Sequence, residues 1–168
     1  GLEPKFTGNE MTEWGSKHEL TAVDAYEADQ GVLTTKSGDD QQFIIHKTID
    51  WMGCTPDGYV FDNRIIEVKC PWYKMYDQIP EYYMAQMQGQ MMITDTSECD
   101  FVVWYLEDKD EMDLTKAELA IWRVQKSTKY CKEMLALLDE FWQSVQEDVE
   151  PKKRKKPVLP TVTCDLLF

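Results

Sequence analysis

No stretch of this 168-residue chain approaches the roughly 18 consecutive apolar residues that a membrane span requires. No signal-peptide pattern is present either. Together these absences predict an intracellular protein that does not enter a membrane. Histidine is scarce: two residues leave too few nitrogen ligands for a zinc site. The five cysteines, at 54, 70, 99, 131 and 164, include no Cys-x-x-Cys pair. That scatter argues against an iron–sulfur cluster and predicts reduced thiols. Positive charge is short as well, with 18 Lys and Arg against 31 Asp and Glu, a net of −13. There is no internal repeat and no internal linker. With 43% hydrophobic residues the chain can build one core.

The basic residues that exist are unevenly spread. Lys152-Lys153-Arg154-Lys155-Lys156 carries +5, and Asp165 is the only acid after Pro151. Residues 1–151 therefore hold 13 basic and 30 acidic residues, a net of −17. Such acidity is unfavourable for binding phosphates unless much of it lies on an outer surface. The patch Glu107-Asp108-Lys109-Asp110-Glu111-Met112-Asp113 reads as one such exposed loop. An acidic exterior with a basic inner lining would suit an enzyme that threads DNA through a channel. It would equally suit an acidic protein that binds no DNA. Prolines at 151, 157 and 160 and the basic run mark a tail, dividing a main domain, 1–150, from a basic C-terminal tail, 151–168. The run reads as a nuclear-import signal if the host is eukaryotic, or as a DNA tether. Leu166-Leu167-Phe168, too apolar for a free end, is expected to dock on the body or on a neighbouring subunit.

The most informative segment is Cys54-Thr55-Pro56-Asp57-Gly58 followed by Ile66-Glu67-Val68-Lys69-Cys70-Pro71. Tyr59-Val60-Phe61 and Ile65-Ile66 read as two strands around the turn Asp62-Asn63. Side chains i and i+2 of a strand share a face, so Glu67 and Lys69 project together. Asp57 can meet them from the neighbouring strand. Two carboxylates bind a hard divalent cation through oxygen, and a lysine beside them can steady developing negative charge. Pro-Asp-Gly alone is an ordinary turn and Glu-x-Lys alone an ordinary strand face. Their combination favours a metal site able to hydrolyse a phosphodiester.

Two helices flank this pair. From Thr12, a candidate cap, to Ala28, the residues Met11, Trp14, Ala22, Ala25 and Tyr26 recur at helical steps, and Glu19 lies near that stripe. Pro80 opens a second helix, Glu81 to Met92. It places Tyr83, Gln86 and Gln90 on one face, with Met84, Met87, Met91 and Met92 on the other. Phe43-Ile44-Ile45, Asp50-Trp51-Met52, Phe101–Leu106 and Leu119–Val124 read as further strands. A long helix over 126–147 turns Tyr130, Met134, Leu137, Leu138, Phe141 and Val145 toward the core.

With these pieces in order, the sequence resembles the lambda exonuclease-like (YqaJ-type viral recombinase) nucleases, a branch of the PD-(D/E)xK phosphodiesterases. The shared pattern is Trp14-Gly15 with Glu19, then Pro56-Asp57-Gly58, then Glu67-Val68-Lys69-Cys70-Pro71, then Tyr83-Met84-Ala85-Gln86-Met87-Gln88. It spans roughly residues 13–104. The resemblance implies an α/β restriction-endonuclease-like core with a central mixed β-sheet flanked by helices. It implies Mg²⁺, replaceable by Mn²⁺, held by Asp57, Glu67 and the Val68 carbonyl. Lys69 would be the catalytic lysine, Glu19 an additional acid, Gln86 a residue positioning Lys69 or the substrate, and Tyr83 a substrate contact. The implied activity is 5′ to 3′ degradation of double-stranded DNA ends by a homo-oligomer, a trimer by family precedent, feeding a single-strand annealing protein. Relatives carry another acid in the strand before Pro-Asp-Gly; Lys47 aligns best there, and Asp50 is the nearest acid. They also carry a longer N-terminal region that grips a 5′-phosphate. With the sequence beginning just before the Trp14-Gly15 helix, that pocket is expected to be absent, supplied by another chain, or cut away from the sequence at hand. Two other readings stay open at this level: an endonuclease or flap nuclease of the same fold, and a non-enzymatic acidic interaction module on a nuclease scaffold.

Overall fold

The computed structural model describes residues 8–36, 43–61, 63–110, 112–151, 153 and 155–167. Asp62 of the expected turn, Glu111 of the acidic patch, Lys152 and Arg154 of the basic run and Phe168 lie outside the described residues. Helix α1 (Glu10–Gln30) opens the fold. Its cap is Asn9, whose side chain accepts from the Thr12 N–H at 3.0 Å, and not Thr12 as the sequence suggested. Asn serves the cap as well as Thr does, and the helix simply begins earlier. Gly31 closes it in the left-handed conformation.

The chain then builds β1 (Thr34–Lys36), β2 (Ile44–Ile45), β3 (Gly53–Cys54), β4 (Gly58–Val60) and β5 (Arg64–Lys69). Helix α2 (Glu81–Thr94), β6 (Glu98–Tyr105), β7 (Glu118–Gln125), α3 (Thr128–Gln146) and β8 (Cys164–Leu166) follow. Six strands form one sheet in the order β1-β4-β5-β6-β7-β8, with β2 and β3 as a separate antiparallel pair. Among the described strands only β5 and β6 run parallel, so α2 is their crossover and the sheet is mixed. Asp50-Trp51-Met52, expected as a strand, is instead a turn whose Met52 N–H donates to the Ile49 carbonyl. Trp51 is spent on stacking with Trp142 of α3, ring centroids 5.7 Å apart.

The sheet is covered on both faces. Trp14, Val23 and Tyr26 of α1 pack on Ile66, Val68, Val102 and Trp104. Met87 and Met91 of α2 pack on Ile65, Phe101 and Val103. Central strands buried on both faces read as continuous apolar runs, which is why β5 and β6 look as they do. Helix α3 buries Tyr130, Cys131 and Met134, but Phe141 is 54% exposed and Val145 is exposed too. The expected core stripe thus holds for its first half; the second half extends past the sheet. The segment after α3 returns along it to the sheet, where β8 pairs with β7 and the Leu167 N–H donates to the Ile121 carbonyl. Among the described residues no helix is long and apolar enough to cross a membrane.

One buried ion cluster ties α1 to the sheet. Asp100 of β6 accepts from Arg123 at 2.9 Å on both oxygens and from the Tyr26 hydroxyl at 2.7 Å, with Arg64 at 3.5 Å. Removing one member of a buried ion pair strands its partners without compensation. Asp100→Ala is therefore expected to lower unfolding free energy by about 3–5 kcal/mol in urea titrations.

Candidate active site

The end of β5 gathers the motif residues. Because β4 and β5 are antiparallel with Gly58 opposite Ile66, Asp57 comes to lie across from Glu67. Asn63, at φ 67°, makes the left-handed turn between them. Gly58 lets the strands close: a Cβ there would stand 3.1 Å from the Ile66 side chain and 3.4 Å from the Thr35 carbonyl. Asp57 then accepts the Val68 N–H at 2.7 Å.

Glu67 is only 1% exposed. Its Oε1 accepts from Gln86 at 2.7 Å and pairs with the Lys69 ammonium; its Oε2 accepts from Gln90 at 2.7 Å. Gln86 thus touches Glu67 rather than Lys69. Gln90 stands one turn further along α2. Its place on the Tyr83/Gln86 stripe was the signal for it, although the spacing alone could not name its partner. Lys69 also lies 5.1 Å from the centroid of the Tyr83 ring. Glu19 enters from α1 and, with Val68, Lys69, Cys70, Tyr76 and Tyr83, lines an open cleft of about 400 Å³.

Charge in this cluster is unbalanced. Burial and then Glu67 push the Asp57 carboxyl up to about 7. Burial also raises Glu19, while Lys69 draws it back. For Lys69, burial pulls downward but Glu67, Asp57 and Glu19 outweigh it, holding the ammonium above its usual range. Burial and the neighbouring carboxylates push Cys70 up to about 12 and Cys54 to about 11, so both thiols stay protonated. Three carboxylates thus face one ammonium. That all-oxygen set suits a hard dication. Asp57, Glu67 and the Val68 carbonyl are the groups that could hold it. Among the described residues, no group of three or more His, Cys, Asp or Glu side chains converges to hold a metal ion. A site here would therefore need backbone oxygen and solvent beside two carboxylates.

Neither of the two positions weighed for the preceding strand, Lys47 and Asp50, joins the cluster. Lys47 pairs with Asp95 at 3.6 Å, and Asp50 lines a separate cavity against Lys132 and Asp139 of α3. The patch around Lys109 holds a feature that the sequence did not signal. The Lys109 ammonium sits 5.3, 5.3 and 4.9 Å from the ring centroids of Trp14, Trp72 and Tyr105.

The model of the YqaJ-like viral recombinase domain matches residues 2–97, more than half of the chain. The chain belongs to this family. An alkaline exonuclease from Laribacter hongkongensis superposes with a TM-score of 0.69 at 26% identity, over 84% of this chain and 71% of that one. The same exonuclease in complex with dAMP gives 0.68 at 25% identity, over 86% and 72%. A phage-related exonuclease from Haemophilus somnus gives 0.63 at 17% identity, over 87% and 76%, a likeness of fold alone. No curated protein matches. The α/β core of this YqaJ-like domain is thus the expected PD-(D/E)xK type, in a recombinase family with exonucleases as structural neighbours.

Burial makes Gln90, 4% exposed, the more structural of the two amides, since Gln86 stands at the surface. Gln90→Met should lower stability by about 1–3 kcal/mol, because Glu67 Oε2 loses its partner away from water. Gln86→Met should cost less. Chemical denaturation of both variants checks the order.

Proposed function

We propose that this YqaJ-like domain is a Mg²⁺-dependent deoxyribonuclease that degrades double-stranded DNA 5′ to 3′ from an end. The observation that carries the reading is Asp57 facing the Glu67–Lys69 pair at the edge of an open cleft. When bound, the ion would supply Lewis acidity toward the phosphoryl group and a lowered water pKa. Lys69, held protonated by its three carboxylate neighbours, serves as a hydrogen-bond donor and fixed positive charge beside the phosphate rather than as a base. Gln86 and Gln90 fix Glu67, and Glu67 in turn fixes Lys69. Tyr83 forms the apolar wall against which the substrate lies. Crystals of a related exonuclease hold dAMP, the monophosphate that stepwise DNA hydrolysis would release, and this supports mononucleotides as the product. The product strand would pass to a single-strand annealing protein. A homo-oligomer, trimeric by family precedent, would keep the enzyme on its substrate.

The test uses end-labelled linear duplexes, with and without 5′-phosphate, in Mg²⁺. Linear duplex should yield mononucleotides while closed circular duplex stays intact. Nicking of the circle at a similar rate would favour endonuclease action. Lys69→Ala and Glu67→Ala should each cost at least ~10²–10³-fold in rate while the protein remains folded by circular dichroism. Near wild-type cleavage by folded Lys69→Ala would sink the site. Excess EDTA should abolish turnover, Mn²⁺ should restore it, and Ca²⁺ should not.

A further inference from the structure

The segment after α3 is not a free tail. Pro151, Lys155 and Pro157 line a groove of about 460 Å³ against Leu137, Phe141 and Glu140 of α3. Beyond the groove, Lys156 pairs with Glu81, the first residue of α2. Val162 packs on the sheet core and β8 completes the sheet. Lys156 is thereby strapped beside the first turn of α2, with Lys155 in the adjoining groove.

That turn leads directly to the cleft. Tyr82, next to Glu81, is 67% exposed, and its ring centroid lies 4.3 Å from that of Tyr83. Tyr83 in turn carries the Lys69 ammonium near its ring. Lys69 thus lies near Tyr83, Tyr83 beside Tyr82, and Lys156 on Glu81, the residue before Tyr82. Lys153, Lys155 and Lys156 are all exposed. Their acidic neighbours are Glu81 for Lys156 and Glu140, Glu147 and Glu150 around the groove at Lys155. Lys156 and Glu81 are 75% and 72% exposed, so their pair holds weakly and a phosphate can take Glu81's place.

We propose that Tyr82 and the lysines Lys153, Lys155 and Lys156 form a binding strip for single-stranded DNA that continues from the Lys69 cleft. Exposed aromatic faces interleaved with cations suit a single strand, whose bases are free to stack while its phosphates meet the ammonium groups. A duplex offers the same phosphates but no free base face to Tyr82. The strip deepens the nuclease reading and rests on it for the identity of the polyanion.

The experiment uses the full chain in EDTA, with a fluorescein-labelled oligo-dT of about 20 nucleotides, one strand-binding site or more. Anisotropy is followed across a range of KCl. Lys153→Gln/Lys155→Gln/Lys156→Gln should weaken binding most at low salt and reduce the log–log salt slope by about 2, at roughly 0.7 per phosphate contact. Tyr82→Ala should weaken binding about tenfold without changing the slope, and should affect a blunt duplex much less. Glu81→Gln, which frees Lys156 and removes a negative charge, should tighten binding. Melting temperatures of all variants separate these effects from loss of the strap. A folded triple variant with wild-type affinity and slope overturns the strip and leaves the basic run to a protein receptor such as an import factor. If the wild type digests linear DNA but the variants bind as it does, the strip alone falls. If the wild type hydrolyses no DNA in Mg²⁺ or Mn²⁺, the nuclease reading falls, and the anisotropy series still decides the strip.

Discussion

Burying Glu67 is the constraint on which the rest of the site depends. A carboxylate taken out of water costs several kcal/mol unless it is paired and hydrogen-bonded. This one lies on β5, one of the two central strands of a sheet covered by helices on both faces. Its compensation comes from three places: Lys69 two residues on, and Gln86 and Gln90 from the crossover helix. The polar stripe of α2 is therefore dictated by β5, and α2 must dock at one rotation for both amides to reach one carboxylate. An apolar residue of similar volume at 67 would relieve all of this. Stability alone does not account for a glutamate there.

The helix and strand pattern was legible where periodicity was strong. β5, β6 and α2 followed from apolar runs and from Pro80, and the turn between β4 and β5 from its residue types. Failures fell where two residues could serve one role. Asn9 and Thr12 both cap helices, and only the actual backbone turn chooses between them. Asp50-Trp51-Met52 carried an apolar signal, but Trp51 uses its ring on α3 rather than in a strand. At the site, Asp57, Glu67 and Lys69 were legible because strand spacing of two fixes which side chains share a face. What Gln86 touches was not, because a glutamine on a helix can reach several neighbours. The cluster around Asp100 was invisible, since Tyr26, Arg64, Asp100 and Arg123 come from four separate elements and no local pattern links them.

Acidity and nucleic-acid chemistry are less opposed in three dimensions than in composition. Much of the negative charge lies on exposed positions of α1, of the loop after β6 and of the end of α3. Lys156 of the basic run, remote in sequence from the motif, lies against the first turn of α2, with β8 pairing to β7 just beyond it. Edge-strand addition thus serves placement as well as stability: it brings positive charge to the side of the molecule where Tyr82 and Tyr83 approach the cleft.

Two buried carboxylates in this fold show the difference between a structural charge and a chemical one. Asp100 and Glu67 lie on adjacent parallel strands and both are almost wholly inaccessible. Asp100 is surrounded by two guanidinium groups and a phenol, so its negative charge is more than answered. No further cation is required, and the cluster serves as a staple between α1 and the sheet. Glu67 receives one ammonium and two neutral amides, while Asp57 and Glu19 add like charge close by. Three carboxyl groups thus share one ammonium, and burial together with the charge of Glu67 pushes Asp57 upward. A protein that needed only stability would gain by removing that excess, as it has at Asp100. Retaining it beside an open cleft is the feature on which the proposed dication site rests, since a bound cation would relieve the repulsion among fixed carboxylates.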